Sequence, residues 1–119
     1  MATRGTIRFD NGASVHVEIV STPAEIQRGL SFRSVLPDGT GMLFQLPGLA
    51  RHAFWMKDTW IPLDIVFLRG GVIVGLLEHL APLDLTVRRI EEPSDAALEV
   101  PAGWARRSGI IPRRRHTNF

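Results

Sequence analysis

The stretch Leu63-Asp64-Ile65-Val66-Phe67-Leu68-Arg69-Gly70-Gly71-Val72-Ile73-Val74-Gly75-Leu76-Leu77 decides the fold. Two apolar runs, 63–68 and 72–77, flank Arg69-Gly70-Gly71. Paired glycines reach the positive-φ conformations of tight turns, so the runs read as a β-hairpin. Both runs are nearly continuous in apolar residues. That pattern marks strands covered on both faces and places the hairpin at the centre of a sheet.

Towards the N-terminus, residues 6–9 and 14–20 alternate apolar and polar side chains around Asp10-Asn11-Gly12. This is a first hairpin with Val15, Val17 and either Ile19 or Val20 facing inward. Thr22, Pro23 and Glu25 then supply an N-cap, a first-turn proline and the acid of a capping box. They predict a helix over about 22–31 with Ile26, Leu30 and Phe32 as its apolar stripe. A helix this short must dock on the sheet to persist. Residues 36–41 form a turn, 42–46 a short strand broken by Pro47-Gly48, and 52–56 another strand candidate.

Towards the C-terminus, 81–96 is polar, carries Pro82 and Pro93, and reads as a loop. Residues 97–100 form a short strand. Pro101-Ala102-Gly103 turns into a second short helix over about 103–108, and Ile110-Ile111 adds an edge strand that Pro112 stops. The fold class is mostly β: a small barrel- or sandwich-like antiparallel domain with one docked short helix and a second short helix. Residues 1–112 form a single β-rich domain, and 113–119 form a basic C-terminal tail.

With 119 residues and 45% apolar content, the chain can bury a real core as one domain. It has no cysteine, which removes disulfides, thiolate nucleophiles and Cys-ligated metals. Residues 1–105 hold 9 bases against 12 acids, a net −3, whereas the end of the chain carries only bases. An acidic body argues against nucleic acid on the domain itself. Lys57 is the single lysine among 14 bases, which singles it out for inspection. No apolar run approaches the roughly 20 residues of a membrane helix. Residues 1–11 lack the apolar core of a signal peptide, so the expected location is cytoplasmic, or exported if a leader was removed.

The run Phe54-Trp55-Met56-Lys57-Asp58-Thr59-Trp60-Ile61-Pro62-Leu63-Asp64-Ile65-Val66-Phe67 resembles the F-W-M-K-N-T-x-I-P-L-D-I-x-F signature of the domain of unknown function 192 family. Arg28-Gly29-Leu30 with Phe32-Arg33, Gly41-Met42-Leu43-Phe44 and Leu98-Glu99-Val100-Pro101-Ala102-Gly103 resemble further segments of that family, in the right order. Asp58 stands where the family commonly has Asn, and Ser31 where it usually has Met. The resemblance implies a compact β-rich domain, often exported or envelope-associated in other members. It implies no reaction.

The candidate ligand-binding residues are Lys57, Asp58, Thr59, Trp60, Asp64 and Glu99. A lysine can bind an anionic group and a carboxylate can accept from hydroxyls, while Trp55 and Trp60 could wall a pocket. A structural account competes with this one. Asp64 could satisfy backbone N–H groups at the Ile61-Pro62-Leu63 turn with Lys57 as its partner, and Glu99 could pair with Arg33 or Arg28. Trp55 and Trp104 also suit a core. His16, His52, His79 and His116 lack ligand spacing, and only His79 with Glu78 and Glu99 merits a check for metal. Ser31 and Ser34 lack a nucleophile elbow, and no phosphate-binding glycine loop is present.

These residues point to a non-catalytic small-ligand or partner-binding β domain without cofactor or metal. No motif identifies the partner. The alternative is a hydrolase or lyase using Asp64 or Glu99 as base with Lys57 as electrostatic stabiliser. A weaker alternative is nucleic-acid or membrane association through Arg113-Arg114-Arg115, a run that a solvated terminus explains more simply.

Overall fold

The computed structural model describes residues 3–112. Strands β1 (Thr3–Arg8) and β2 (Ser14–Val20) form the first hairpin, joined by a turn in which the Phe9 amide donates to the Ala13 carbonyl (2.8 Å). Helix α1 (Pro23–Arg28) follows, and then β3 (Thr40–Ala50). Strands β4 (Leu63–Arg69) and β5 (Val72–Leu80) are the hairpin read from the apolar runs. Strand β6 (Ser94–Pro101) leads into α2 (Trp104–Arg107).

Helix α1 begins where the sequence places it. The Glu25 amide donates to the Thr22 hydroxyl (3.2 Å), and Glu25 Oε1 accepts from the Thr22 amide (3.1 Å), closing a capping box. Such a cap contributes about 1 kcal/mol.

The six strands make one sheet in the order β1-β2-β3-β6-β4-β5. The chain is mostly β, as expected, but the sheet is mixed and does not close into a barrel. β2 and β3 pair in parallel; the other pairs are antiparallel. The reason lies in α1. A helix docked between β2 and β3 returns the chain in the same direction, as a parallel pair requires. β6 separates β3 from β4, so the hairpin of apolar runs is inserted beside the last strand.

Alternation along the strands splits the core in two. Phe44, Ala97 and Phe67 form a row on one face, with Met42, Ile65, Leu63 and Val20 in the same cluster. Leu98 and Val66 form a row on the other face, with Val15, Val17, Val100, Trp104 and Ile110. The first face is covered by α1 and by segments that supply Leu30, Phe54, Met56 and Ile61. The second is covered by α2.

Four details differ from the sequence reading. The β4–β5 hairpin lies at one end of the sheet, with β5 as an edge strand, and not at its centre. β3 runs through Pro47-Gly48 to Ala50, with a register shift between Gln45 and Ala50 that absorbs the proline. Residues 52–56 form no strand; Phe54 makes a single bridge with Arg88. Ile110 is buried beside α2, its amide donating to the Ala105 carbonyl (2.9 Å), and is not an edge strand. The tail 113–119 lies outside the described residues.

Candidate functional site

The segment 51–62 carries most of the signature but has no regular structure, so its shape depends on individual anchors. The Phe54 amide donates to the Arg88 carbonyl (2.9 Å) and the Arg88 amide returns the bond (2.8 Å). The Met56 amide donates to Asp84 O (2.9 Å) and the Leu83 amide to Thr59 O (3.0 Å). The Phe54 ring meets Phe44 (5.9 Å) and Phe67 (5.6 Å) edge-on, and Met56 and Ile61 are buried. With Met56 turned inward, Trp55 and Lys57 face outward. Asp58 (φ 56°) and Phe32 (φ 65°) occupy the left-handed region, joined by the Phe32 amide donating to Asp58 O (2.8 Å). Such non-glycine conformations cost of order 1 kcal/mol each and persist only where surrounding contacts impose them.

Between this segment and α1 lies a cleft of about 340 Å³. One side comprises Ile26, Gln27, Arg28, Gly29, Leu30 and Ser31; the other comprises Ala53, Phe54, Trp55, Lys57, Asp58 and Thr59. Phe44 and Glu99, both buried in the sheet, form the floor. The Lys57 ammonium sits 5.4 Å from the centre of the Trp55 ring, and the Thr59 hydroxyl donates to Lys57 O (3.2 Å). Among the described residues, neither Arg28 nor Lys57 has a carboxylate partner.

Glu99 is the unusual group. It is 7% exposed, and its row in the sheet places Met42 and Ile65 beside it. No side-chain hydrogen bond or ion pair engages its carboxyl among the described residues. Burial pushes it up to about 8, so the carboxyl is mostly protonated at neutral pH. Arg33, one partner considered from the sequence, forks onto Glu18 instead (2.6 and 2.9 Å) and holds that carboxyl below its usual range.

Asp64 is buried more completely, at 0% exposure, and on the other face of the sheet. Its Oδ1 accepts from the His79 amide (2.9 Å), and its Oδ2 accepts from the amides of Gly103 (2.9 Å) and Ala105 (3.1 Å). It ties the end of β5 and the start of α2 to β4 and does not line the cleft.

Of the six candidates, Lys57, Asp58, Thr59 and Glu99 come together around one cavity. Trp60 does not: it lies half-exposed with its ring edge-on to Phe32 (6.1 Å). Trp104 is buried against Phe9, whereas Trp55 lines the cleft. Sequence reading missed Gln27, Ser31 and Phe44 as lining residues and weighed Arg28 only as a partner for Glu99. Their approach is created by the docking of α1, which leaves no local signal. No cluster of three or more His, Cys, Asp or Glu among the described residues could hold a metal ion, and Glu78 pairs with Arg106 (3.7 Å). No described helix is long and apolar enough to cross a membrane.

No curated protein matches the chain significantly. Two solved structures share its fold. One, from Sinorhizobium meliloti 1021 and described as a candidate transcription regulator, is 29% identical with a TM-score of 0.85 over 94% of this chain and 89% of that one. The other, from Novosphingobium aromaticivorans DSM 12444 and described as of unknown function, is 35% identical with a TM-score of 0.81 over 93% of this chain and 81% of that one. The family described as uncharacterized ACR, domain of unknown function 192, matches residues 6–116, and the chain belongs to it.

Proposed function

We propose that the protein is a non-catalytic binding module for a small molecule, held in the cleft between α1 and the Ala53–Thr59 segment. The observation that carries this reading is Glu99, a nearly buried carboxyl without a partner among the described residues, on the floor of a cavity. Buried polar groups are almost always hydrogen-bonded, so an unengaged one facing a cavity is suited to a ligand. Phe44, Phe54 and Trp55 supply apolar wall, and Arg28, Lys57 and Asp58 supply polar contacts.

The test is titration of isotopically labelled protein with small sugars, alcohols, organic acids and short peptides, following the Trp55 and Trp104 indole signals. At least one class should move Trp55 and leave Trp104 unchanged, and Glu99→Ala should abolish that response. A silent Trp55 across the panel would contradict the reading.

A second reading has one observation in its favour. A carboxyl pushed up to about 8 can act as a general acid near neutral pH, with Lys57 stabilising developing negative charge. Asp64 has no place in that scheme, because it lies on the opposite face with its oxygens engaged. Turnover of an ester or lyase substrate that Glu99→Ala removes would favour it. A regulatory role like that described for the Sinorhizobium relative is compatible with ligand sensing, but the net −3 of residues 1–105 gives no support to a DNA-binding face.

A further inference from the structure

We propose that the ligand is a small organic monocarboxylate, bound with its anionic group against Arg28 and Lys57 and a hydroxyl or carbonyl oxygen against the Glu99 carboxyl. The proposal rests on the cleft being the binding site and names the class of molecule it takes.

Three observations select that class. First, the two cations lining the cleft have no carboxylate partner among the described residues, and Lys57 is held near the Trp55 ring. Asp58 is the one acid beside them, so a protonated Glu99 leaves a single surplus positive charge. One charge suits a monoanion; a phosphate dianion would meet Asp58 with too little compensation. Second, Phe54 and Trp55 line the cleft and offer apolar surface to a carbon skeleton. An inorganic anion would leave that surface uncovered. Third, a protonated carboxyl both donates and accepts, so Glu99 can serve a hydroxyl or a carbonyl oxygen at the far end of the ligand.

Binding is then linked to protons. The charged groups facing Glu99 are Arg28 from α1 and Lys57 and Asp58 from the 51–62 segment. In its own row the neighbours are apolar Met42 and Ile65, and the next strand presents Glu18, already neutralised by Arg33. Ionisation of Glu99 adds a negative charge to a site holding an anion. Affinity falls as pH rises through that ionisation.

Four probes of similar size or simplicity test the carboxylate: benzoate, benzamide, benzylamine and inorganic phosphate. Binding is read at the Trp55 indole and by calorimetry on the full chain. Benzoate should bind at least tenfold tighter than the other three. 4-Hydroxybenzoate tests the oxygen against Glu99; it should bind tighter than benzoate, and equal affinity of the two would overturn that contact. The double variant Arg28→Ala/Lys57→Ala should bring benzoate down to the level of benzamide without moving benzamide. Benzoate should weaken about tenfold between pH 6.5 and 9.5 in the wild type and stay flat in Glu99→Gln, which keeps a neutral donor. If benzamide or benzylamine moves Trp55 as strongly as benzoate, the carboxylate assignment is overturned while the cleft remains a binding site. If phosphate binds best, the organic part of the assignment is overturned. If all four leave Trp55 silent, the carboxylate assignment is overturned, and silence of the wider panel of sugars, alcohols and peptides then removes the binding reading as well.

Discussion

Asp64 and Glu99 are near neighbours in the sheet and opposites in their surroundings. They stand on adjacent strands in successive rows, Asp64 beside Val100 and Glu99 beside Ile65. Both are almost inaccessible. Asp64 faces α2 and accepts three backbone N–H bonds, whereas Glu99 faces the cleft and accepts none from the described residues. Burial alone therefore does not separate a structural acid from a functional one. The separating property is where the hydrogen bonds go: three oriented amides make Asp64 part of the scaffold, and their lack leaves Glu99 open to a ligand.

The largest effect that could break this contrast is on the Asp64 side. Asp64→Asn turns one acceptor into a donor facing amides that also donate. Urea unfolding should show a loss of roughly 3 kcal/mol or more, given the cost of leaving buried donors unsatisfied. A loss below about 1 kcal/mol would mean that the three amides find other partners and that the contrast is false.

Glu99→Gln should act in the opposite sense and through pH. The Glu99 proton is held more tightly in the folded chain (about 8) than at its ordinary value of 4.5. Its stabilising contribution is fully present below pH 4.5 and is lost as pH rises through about 8. The glutamine variant should match the wild type at pH 4 and exceed it at pH 9, by an amount on the order of a few kcal/mol. Thermal melts at the two pH values check this; equal differences at both would contradict it.

Smaller effects sharpen the comparison. Gly103 donates to Asp64 at φ 92°, a conformation side chains rarely adopt. Gly103→Ala should cost about 1–2 kcal/mol in a urea melt by straining that latch. Lys57→Ala lies on the cleft side, where the cation is exposed and unpaired with any described carboxylate, and should change stability by less than about 0.5 kcal/mol. A larger loss would assign Lys57 to the scaffold.

Local features were legible in the sequence. The capping box from Thr22 to Glu25, the Arg69-Gly70-Gly71 hairpin and the doubly buried run after Leu63 depend on neighbours along the chain, and each formed as expected. Features set by distant pairing were not. The parallel approach of β2 and β3 follows from where α1 docks. The same docking brings Arg28 to the cleft and leaves Arg33 to Glu18, so the partner of Glu99 could not be assigned from spacing. Trp60 and Lys57 are three residues apart in one motif, yet only Lys57 lines the cleft, because the intervening turn at Asp58 sends them different ways.

The most direct test is the titration of the Glu99 carboxyl in the ligand-free protein, followed by its side-chain carbon resonance. A midpoint near 8 means the acid stands buried and unpaired at the cleft floor. A midpoint near the ordinary 4.5 would mean that water or a protein group already serves it, and the proposed site would lose its defining residue.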